Sequence, residues 1–460
     1  MSLASPPYPR PHALSLAILL LAASVIGAPT GALAAEPTPT PIVEPTPVPV
    51  PTPAGPTPLE ASVTLFGRGY GHGVGMSQYG ARGRALAGQD STAILAHYYQ
   101  GTTLGSIAAT TRIRVLVLSR WGATSSRPLT IYGRTTAWSI DGIAKTFPVD
   151  AKLRVTPTTT RTSSGTRTTW RIRVNAPSGA ILHDGTKPAT LVIRGARASS
   201  RLQLYSKSAS YDRYRGILRI LTSSVTPTVT VVNEVPMEVY LRGVVPVEMP
   251  STWPTEALKA QSIAARSYAA RRLRPGISYY DVPDDSRSQV YRGALGEKAT
   301  TNNALAATAG VVLKSGSSIA NTLFHSTGGG ATEHNENVFV SSTGAKISTP
   351  VSYLRGSADR TADGTSFDAG APFATWRTKT YTRAQLSAFF ATDARTNVGA
   401  LTALDLRDRG VSGRYRSVTL IGSAGSKKVS GDVFRAVFNA ARPTTDPLLR
   451  STLFALAPVP

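Results

Sequence analysis

Between Thr111 and Val235 the chain carries short runs that are β-branched or alternate between apolar and polar residues. They are Ile113–Leu118, Leu129–Tyr132, Leu153–Thr156, Trp170–Val174, Leu191–Arg194, Leu202–Tyr205, Ile217–Leu221 and Val229–Val232. Gly, Pro, Ser and Asp separate them. Such runs are too short for stable helices, and a period of two turns one side of each toward a core. This stretch is therefore confined to a β-rich lobe. Helices come after it. Pro236 suits the first turn of one reaching about Arg242. Pro254 opens a longer one reaching about Leu273, with Ser251 or Thr252 as its cap. On that helix Leu258, Gln261, Ala265 and Tyr268 share one face, and Ala257, Ala260 and Ala264 form a small-residue face for close packing. Further helices are expected at Ser91–Tyr99, Asn302–Thr308, Arg383–Thr392 and Ser430–Phe438, and strands at Val311–Lys314, Thr322–His325 and Ser417–Ile421. The fold class is α+β: a β-rich lobe plus a mixed helical and strand lobe, forming a groove.

The N-terminal part has a different character. Met1–Ala35 reads as a secretory signal, with Arg10 and His12 in a basic start, the apolar run Ala13–Ile26, and Ala32-Leu33-Ala34 as a small-residue cleavage pattern. The apolar run is shorter than an ordinary membrane span, which favours a cleaved signal over the other reading, an uncleaved anchor. Glu36–Pro58 then repeats proline at nearly every second position. Proline fixes φ and removes the backbone donor, so this segment is expected to form neither helix nor sheet. As an extended spacer it reaches roughly 70 Å at about 3.1 Å per residue.

Composition narrows the chemistry. The chain has 460 residues, a formal net charge of +24 and no cysteine. That length suits two lobes or one large domain. The absence of cysteine excludes a disulfide framework, thiolate zinc sites and a Cys nucleophile. The positive charge, mostly arginine, is spread along the chain and seeks polyanions. Nucleic acid, the carboxylates and anionic polymers of a bacterial wall, and a genome that simply favours arginine all agree with it. No helix-turn-helix, RNA-recognition or zinc-finger pattern occurs, so no nucleic-acid partner is expected.

Three stretches carry candidate chemistry. In Gly67–Gly80 glycine recurs at alternate positions, which permits positive φ and close approach of a ligand or of another chain segment. His72 and Gln78 are its polar handles. The stretch reads either as a binding loop or as a tight structural one. In Val244–Pro254 a single carboxylate, Glu248, stands between prolines beside Met249 and Trp253. Rigid placement suits catalysis, and apolar neighbours raise a carboxyl pKa. On these residues alone Glu248 reads equally as a helix-capping group. In Asp284–Tyr291 and Phe324–Glu333, polar side chains adjoin a glycine triplet, the make-up of a groove that hydrogen-bonds a sugar or peptide. Ser326 and His325 are neighbours on a strand and do not form a dyad. No metal site is expected.

Val232–Tyr268, with Val247-Glu248-Met249-Pro250 at its centre, resembles the core of the SpoIID/LytB family. Gly67–Gly80, continued by His97–Gly101, is similar to that family's glycine-rich element, and Ser288–Tyr291 and Ser326–Glu333 to its remaining blocks. The matches run through much of Phe66–Leu104 and Ile217–Phe339. The resemblance implies lytic transglycosylase activity on peptidoglycan glycan strands, with Glu248 as general acid/base and no cofactor. Substrate-binding groups are expected at His72, Gln78, Gln261, Arg266, Ser288, Gln289, Tyr291 and Ser326. The glycine block here precedes the other blocks, whereas in the family it usually follows them. Some relatives bind zinc through Cys and His, which does not carry over to a chain without cysteine.

The organisation expected is a signal peptide (1–35), a linker (36–60), the glycine-rich block (61–110), a β-rich region (111–230), a SpoIID-like catalytic core (231–345) and a C-terminal α/β region packing on that core (346–460). Lytic transglycosylation needs one carboxyl; a hydrolase needs two, and Asp284 or Asp285 would supply the second. The alternative from another class is a non-catalytic wall-binding or amidase-stimulating protein, with a wall amidase as partner. The expected location is secreted and cell-wall associated, with no stable membrane span after processing. N-terminal sequencing of protein recovered from wall or medium should then begin near Ala35, and an intact Met1 in the cytosolic fraction would overturn export.

Overall fold

The alternating runs of the β-rich stretch all become strands, and they pair into two sheets over one core. In the computed structural model, which describes residues 54–188, 190–207 and 209–458, a seven-stranded sheet has the order Val282–Pro283, Arg112–Gly122, Thr228–Pro236, Ile217–Thr222, Leu191–Gly195, Trp138–Ile140 and Thr146–Phe147. A six-stranded sheet has the order Ile181–Thr186, Gly165–Asn175, Lys152–Thr162, Leu129–Gly133, Leu202–Leu204 and Arg213–Tyr214. Val115 and Val231 of the first sheet share one buried cluster with Leu153 and Ile172 of the second. The expected signal and most of the expected spacer lie outside the described residues.

That same cluster continues into the helices that follow. α1 is Gln78–Leu86, α2 Ser91–Tyr98, α3 Met237–Arg242, α4 Val245–Glu248, α5 Thr255–Ala270 and α6 Ala299–Ala307. Tyr240 and Leu241 of α3, Val244, and Val245 of α4 are fully buried members of the sandwich core. Each such side chain contributes about 1.5–3 kcal/mol through burial, so the turn that bears Glu248 is anchored in the largest core of the molecule.

α5 is the central helix. Ala260, Ile263 and Ala264 pack on Val74 and Met76 of the glycine-rich stretch and on Ile94, Leu95 and Tyr98 of α2. Ala257 and Leu258 meet Met249 and Ala304. The expected small-residue face thus does bring another element close. Arg266, fully buried, forms a two-bonded pair with Glu238 of α3 (2.7 Å each) and donates to Val311 O (3.0 Å). Neither Ser251 nor Thr252 caps α5. Pro254 occupies the cap position, with no side-chain bond.

Two further expectations are corrected. The helix α1 begins inside the glycine-rich stretch, capped by Ser77, whose side chain accepts from Gly80 N. Glycine disfavours a helix, but here it is required. A Cβ on Gly80 would sit 2.1 Å from both Asp359 Oδ2 and the Tyr98 hydroxyl. At the other end of the sequence, the expected spacer does enter a sheet. Thr57–Pro58 pairs with Leu401–Asp405 at the edge of a four-stranded sheet completed by Ser417–Gly422 and Gly425–Ser430. An edge strand tolerates proline because no partner needs its missing N–H. Leu59, Val63 and Leu65 then join Phe390, Phe434 and Phe438 in a second core.

The Arg266–Glu238 pair yields a stability prediction. Removing one partner of a buried pair leaves the other uncompensated, at about 3–5 kcal/mol. Glu238 is partly exposed, so Arg266→Ala should cost about 3 kcal/mol in urea unfolding. Arg266→Met combined with Glu238→Gln should recover most of that loss.

Candidate active site

A cleft of about 450 Å³ opens where the glycine-rich stretch, α4 and the segments 286–290 and 323–326 meet. Four glycines shape the stretch that supplies the first wall through Tyr70, Gly71 and His72. Gly69, Gly71, Gly73 and Gly75 all have positive φ, as their alternation allows. A Cβ on Gly75 would lie 2.0 Å from Leu323 O, so the side-chain-free backbone is what lets this stretch lie beside Phe324–His325. Those two residues pair in parallel with Met76–Ser77.

Glu248 ends α4, half-buried in the cleft. Val290 N–H donates to its Oε1 (3.0 Å). Burial pushes the carboxyl pKa up from its ordinary value, and the Val290 bond only partly offsets this. Among the described residues it is the only carboxylate on the cleft wall. Asp284 and Asp285 do not line it. Asp284 is engaged by Lys207, with its pKa raised by burial, and Asp285 is bonded to Arg287, which lowers its pKa.

Gln78 ties the two halves together. Its Nε2 donates to the backbone oxygen of Glu248 (3.0 Å) and lies 3.4 Å from Gln261 Oε1. The glycine block and the Glu248 turn therefore share one cleft, although well over a hundred residues separate them in sequence. His72 lies in the same wall. Val74 N–H donates to its Nδ1 (3.0 Å), so the ring proton sits on Nε2. Burial, then Arg414, lowers the His72 pKa to about 4, which keeps the ring neutral at ordinary pH.

Of the expected substrate-binding groups, His72, Gln78, Ser288 and Ser326 line the cleft. Ser288 Oγ is buried without a hydrogen-bond partner among the described residues. Gln261, Arg266, Gln289 and Tyr291 do not reach it and are corrected to framework residues. Each is on the inward side of its element, at 0% or 1% exposure. Gln289 spans Tyr240 Oη (3.2 Å) and Ala265 O (3.3 Å), and Tyr291 Oη donates to Asn233 (2.9 Å). A polar residue beside the Glu248 motif can thus serve the fold instead of a ligand.

Sequence reasoning missed His325 and the aromatic lining of Tyr70, Tyr268, Phe324 and Phe339. His325 Nδ1 is 3.3 Å from Val74 O, which can only accept, so Nδ1 carries the proton. Its Nε2 is left as a buried acceptor without a partner among the described residues. Ser326 Oγ pairs with Thr327 Oγ1 (3.2 Å), so no Ser–His dyad forms. Tyr268 was within reach of the sequence, because it shares a helix face with Gln261. Among the described residues, no group of three metal-ligating side chains is present.

Comparison with known proteins bears on the same stretch. Residues 226–314 match the SpoIID family model, described as a stage II sporulation protein. An amidase enhancer of Bacillus subtilis (strain 168) is 42% identical over 102 residues, 22% of this chain and 14% of that protein. An uncharacterised protein of Brachyspira hyodysenteriae is 37% identical over 114 residues, 24% of this chain and 31% of its own length. Stage II sporulation protein D of Bacillus subtilis is 34% identical over 122 residues, 23% of this chain and 35% of its own length. The chain thus spans about a third or less of each of these relatives. No solved structure matches.

The raised Glu248 pKa has a measurable sign. The folded chain holds this proton more tightly than the unfolded one, so ionisation costs stability. The cost is absent below the ordinary value of 4.5 and develops as pH rises through the folded value. Glu248→Gln, neutral throughout, should match the parent protein near about pH 4 and exceed it near about pH 8 in urea midpoint. A variant less stable at the higher pH would mean that the carboxylate is stabilised rather than strained.

Proposed function

We propose, for a chain whose motifs are SpoIID/LytB-like and whose residues 226–314 form a SpoIID-family segment, that the cleft cuts peptidoglycan glycan strands by lytic transglycosylation. The observation that carries this reading is the solitary Glu248 carboxyl, its pKa raised by burial, in a cleft otherwise lined by aromatic and polar groups. Direct hydrolysis uses two carboxyls placed across the scissile bond. Here Asp284 and Asp285 are held by cations outside the cleft wall. One carboxyl suffices when the nucleophile belongs to the substrate.

The chemistry then runs in two proton movements. Protonated Glu248 gives its proton to the glycosidic oxygen as the bond from that oxygen to the anomeric carbon of muramic acid breaks. The resulting carboxylate takes the proton of the 6-hydroxyl of the same sugar, and that oxygen bonds to the anomeric carbon. The product is a 1,6-anhydro end, and Glu248 is again protonated. A raised pKa serves both movements, since the group must be an acid first and a base second near neutral pH. Val290 N–H orients Oε1, and Gln78 holds the backbone of the turn. Tyr70, Tyr268, Phe324 and Phe339 offer apolar surface to sugar rings.

A second reading draws on the amidase enhancer among the relatives. On it, the cleft binds glycan without cutting and the chain stimulates a wall amidase. Export to the wall is part of either reading.

Glu248→Gln separates them. It keeps shape and hydrogen bonding but removes proton transfer, typically worth about 10²–10⁴-fold. Strand cleavage should fall by that factor, and the parent protein's products should carry 1,6-anhydromuramic ends by mass spectrometry. Reducing ends would mean hydrolysis. Glycan left intact by the parent, yet bound equally by both proteins, would favour the stimulating role.

A further inference from the structure

The outer face of the six-stranded sheet carries a second cleft, of about 560 Å³. Leu153, Val155, Ile172 and Val174 point into the sandwich core, so alternation sends Lys152, Arg154 and Arg173 outward. The register sets Lys152 opposite Asn175 and Tyr132, and Arg154 opposite Arg173. Arg171 and Arg167 continue the same face along the strand Gly165–Asn175. Asp184 pairs with Arg171 (2.6 Å) and lies 3.4 Å from Arg173. Asp150 pairs with Arg134 (2.8 Å). Lys152, Arg154 and Arg167 form no ion pair among the described residues.

We propose that this face docks a linear phosphodiester polymer of the cell wall, with its phosphates on Lys152, Arg154, Arg173 and Arg167. Alternate residues on a strand repeat every ~6.7 Å, and neighbouring strands lie ~4.8 Å apart. Lys152 and Arg154 stand one such repeat apart, Arg173 lies across from Arg154, and Arg167 lies three repeats beyond Arg173, so the cations trace a line along the hairpin that is suited to an extended chain of anions. A single small anion would use only one or two of them. Stem peptides recur once per disaccharide and carry their carboxylates in separate clusters on side branches, so they do not present a continuous line of anions. Guanidinium groups take phosphate oxygens in pairs, which favours phosphate further. Single-stranded nucleic acid has the same charge but depends on open aromatic faces for stacking. The aromatic residue of this cleft, Tyr132, is covered by Arg134 at 4.2 Å. The surface shares no residue with the glycan cleft, and the proposal rests on export to the wall but not on cleavage by Glu248.

The test uses the mature full chain and purified poly(glycerol phosphate), with affinity measured across a salt series. Binding should weaken as salt rises. The Lys152→Gln/Arg154→Gln/Arg167→Gln variant should lose about 2 units of the slope of log K against log salt, since each phosphate left without its cation removes about 0.7. At low salt its affinity should fall at least about tenfold. A charge-matched control, Lys346→Gln/Arg377→Gln/Lys379→Gln, should bind as the parent does. Equal losses in both variants, no loss in the first, or tighter binding of an oligonucleotide with the same number of phosphates would each overturn the proposal. Cleavage of polymer-free glycan reports on Glu248 separately. The triple variant should retain it, and a chain that binds polymer but cuts no glycan would sink the cleavage reading alone.

Discussion

Helix α5 can be buried nearly all round because most of its residues are small. Ala257, Ala260, Ala264, Ala265, Ala269 and Ala270 let other backbones come close, and only a few of its side chains stay partly exposed. Three cores meet on it: the sandwich through Ala265 and Ala269, the glycine block through Ala260 and Ala264, and the Met249 cluster through Ala257. The polar groups it carries inward then need partners. Arg266 reaches Glu238 and Val311 O, Ser262 and Ser267 return to the carbonyls four residues earlier, and Gln261 Oε1 meets Gln78, while Gln261 Nε2 finds no partner among the described residues. Larger residues on this helix would push the glycine block away from the Glu248 turn and open the cleft between them.

The cleft is electrostatically quiet, and that is what gives Glu248 its character. Burial keeps His72 and His325 neutral, the latter well below its ordinary pKa. Arg287 faces the cleft but is bonded to Asp285. Behind the wall, Arg414 is fully buried and bonded to the carbonyls of Gly328 and Ala331, with its pKa lowered to about 10 by burial, so it stays charged. Gly73 passes so close to it that a Cβ would lie 2.4 Å from Arg414 Nε. Desolvation therefore dominates at the carboxyl, and a backbone amide alone opposes it.

The C-terminal region closes the structure in a way that local sequence does not announce. Glu333 is fully buried and accepts from His334 N, Asn337 Nδ2, Val411 N, Ser412 N and Ser412 Oγ. A carboxylate in a motif of the candidate site thus acts as the staple between the glycine-triplet loop and residues 411–412. Asp359 does similar work for α1 and α2 by binding Arg84 and Tyr98, and its pKa is raised to about 6 by burial.

By itself the sequence determined the strands of the sandwich and the helices from Pro236 onward, and it singled out Glu248 as a candidate, equally readable as a helix cap until the resemblance was weighed. Period-two alternation, proline at a helix start and a lone carboxylate among prolines are local signals, and local physics reads them. The long hairpin Lys152–Thr162/Gly165–Asn175 was visible only in its apolar half, because its Thr-rich end buries only Thr168 and carries no apolar alternation to pattern it. Which polar residues face the cleft was decided only in three dimensions. Gln289 and Tyr291 look like ligand-binding groups beside Ser288, yet an alternating backbone and the space beneath α5 turn them inward. Whether the displaced glycine block joins Glu248 was equally open. The answer lies in side-chain-free backbone packing on α5 and in one hydrogen bond from Gln78, both contacts between segments far apart in the chain.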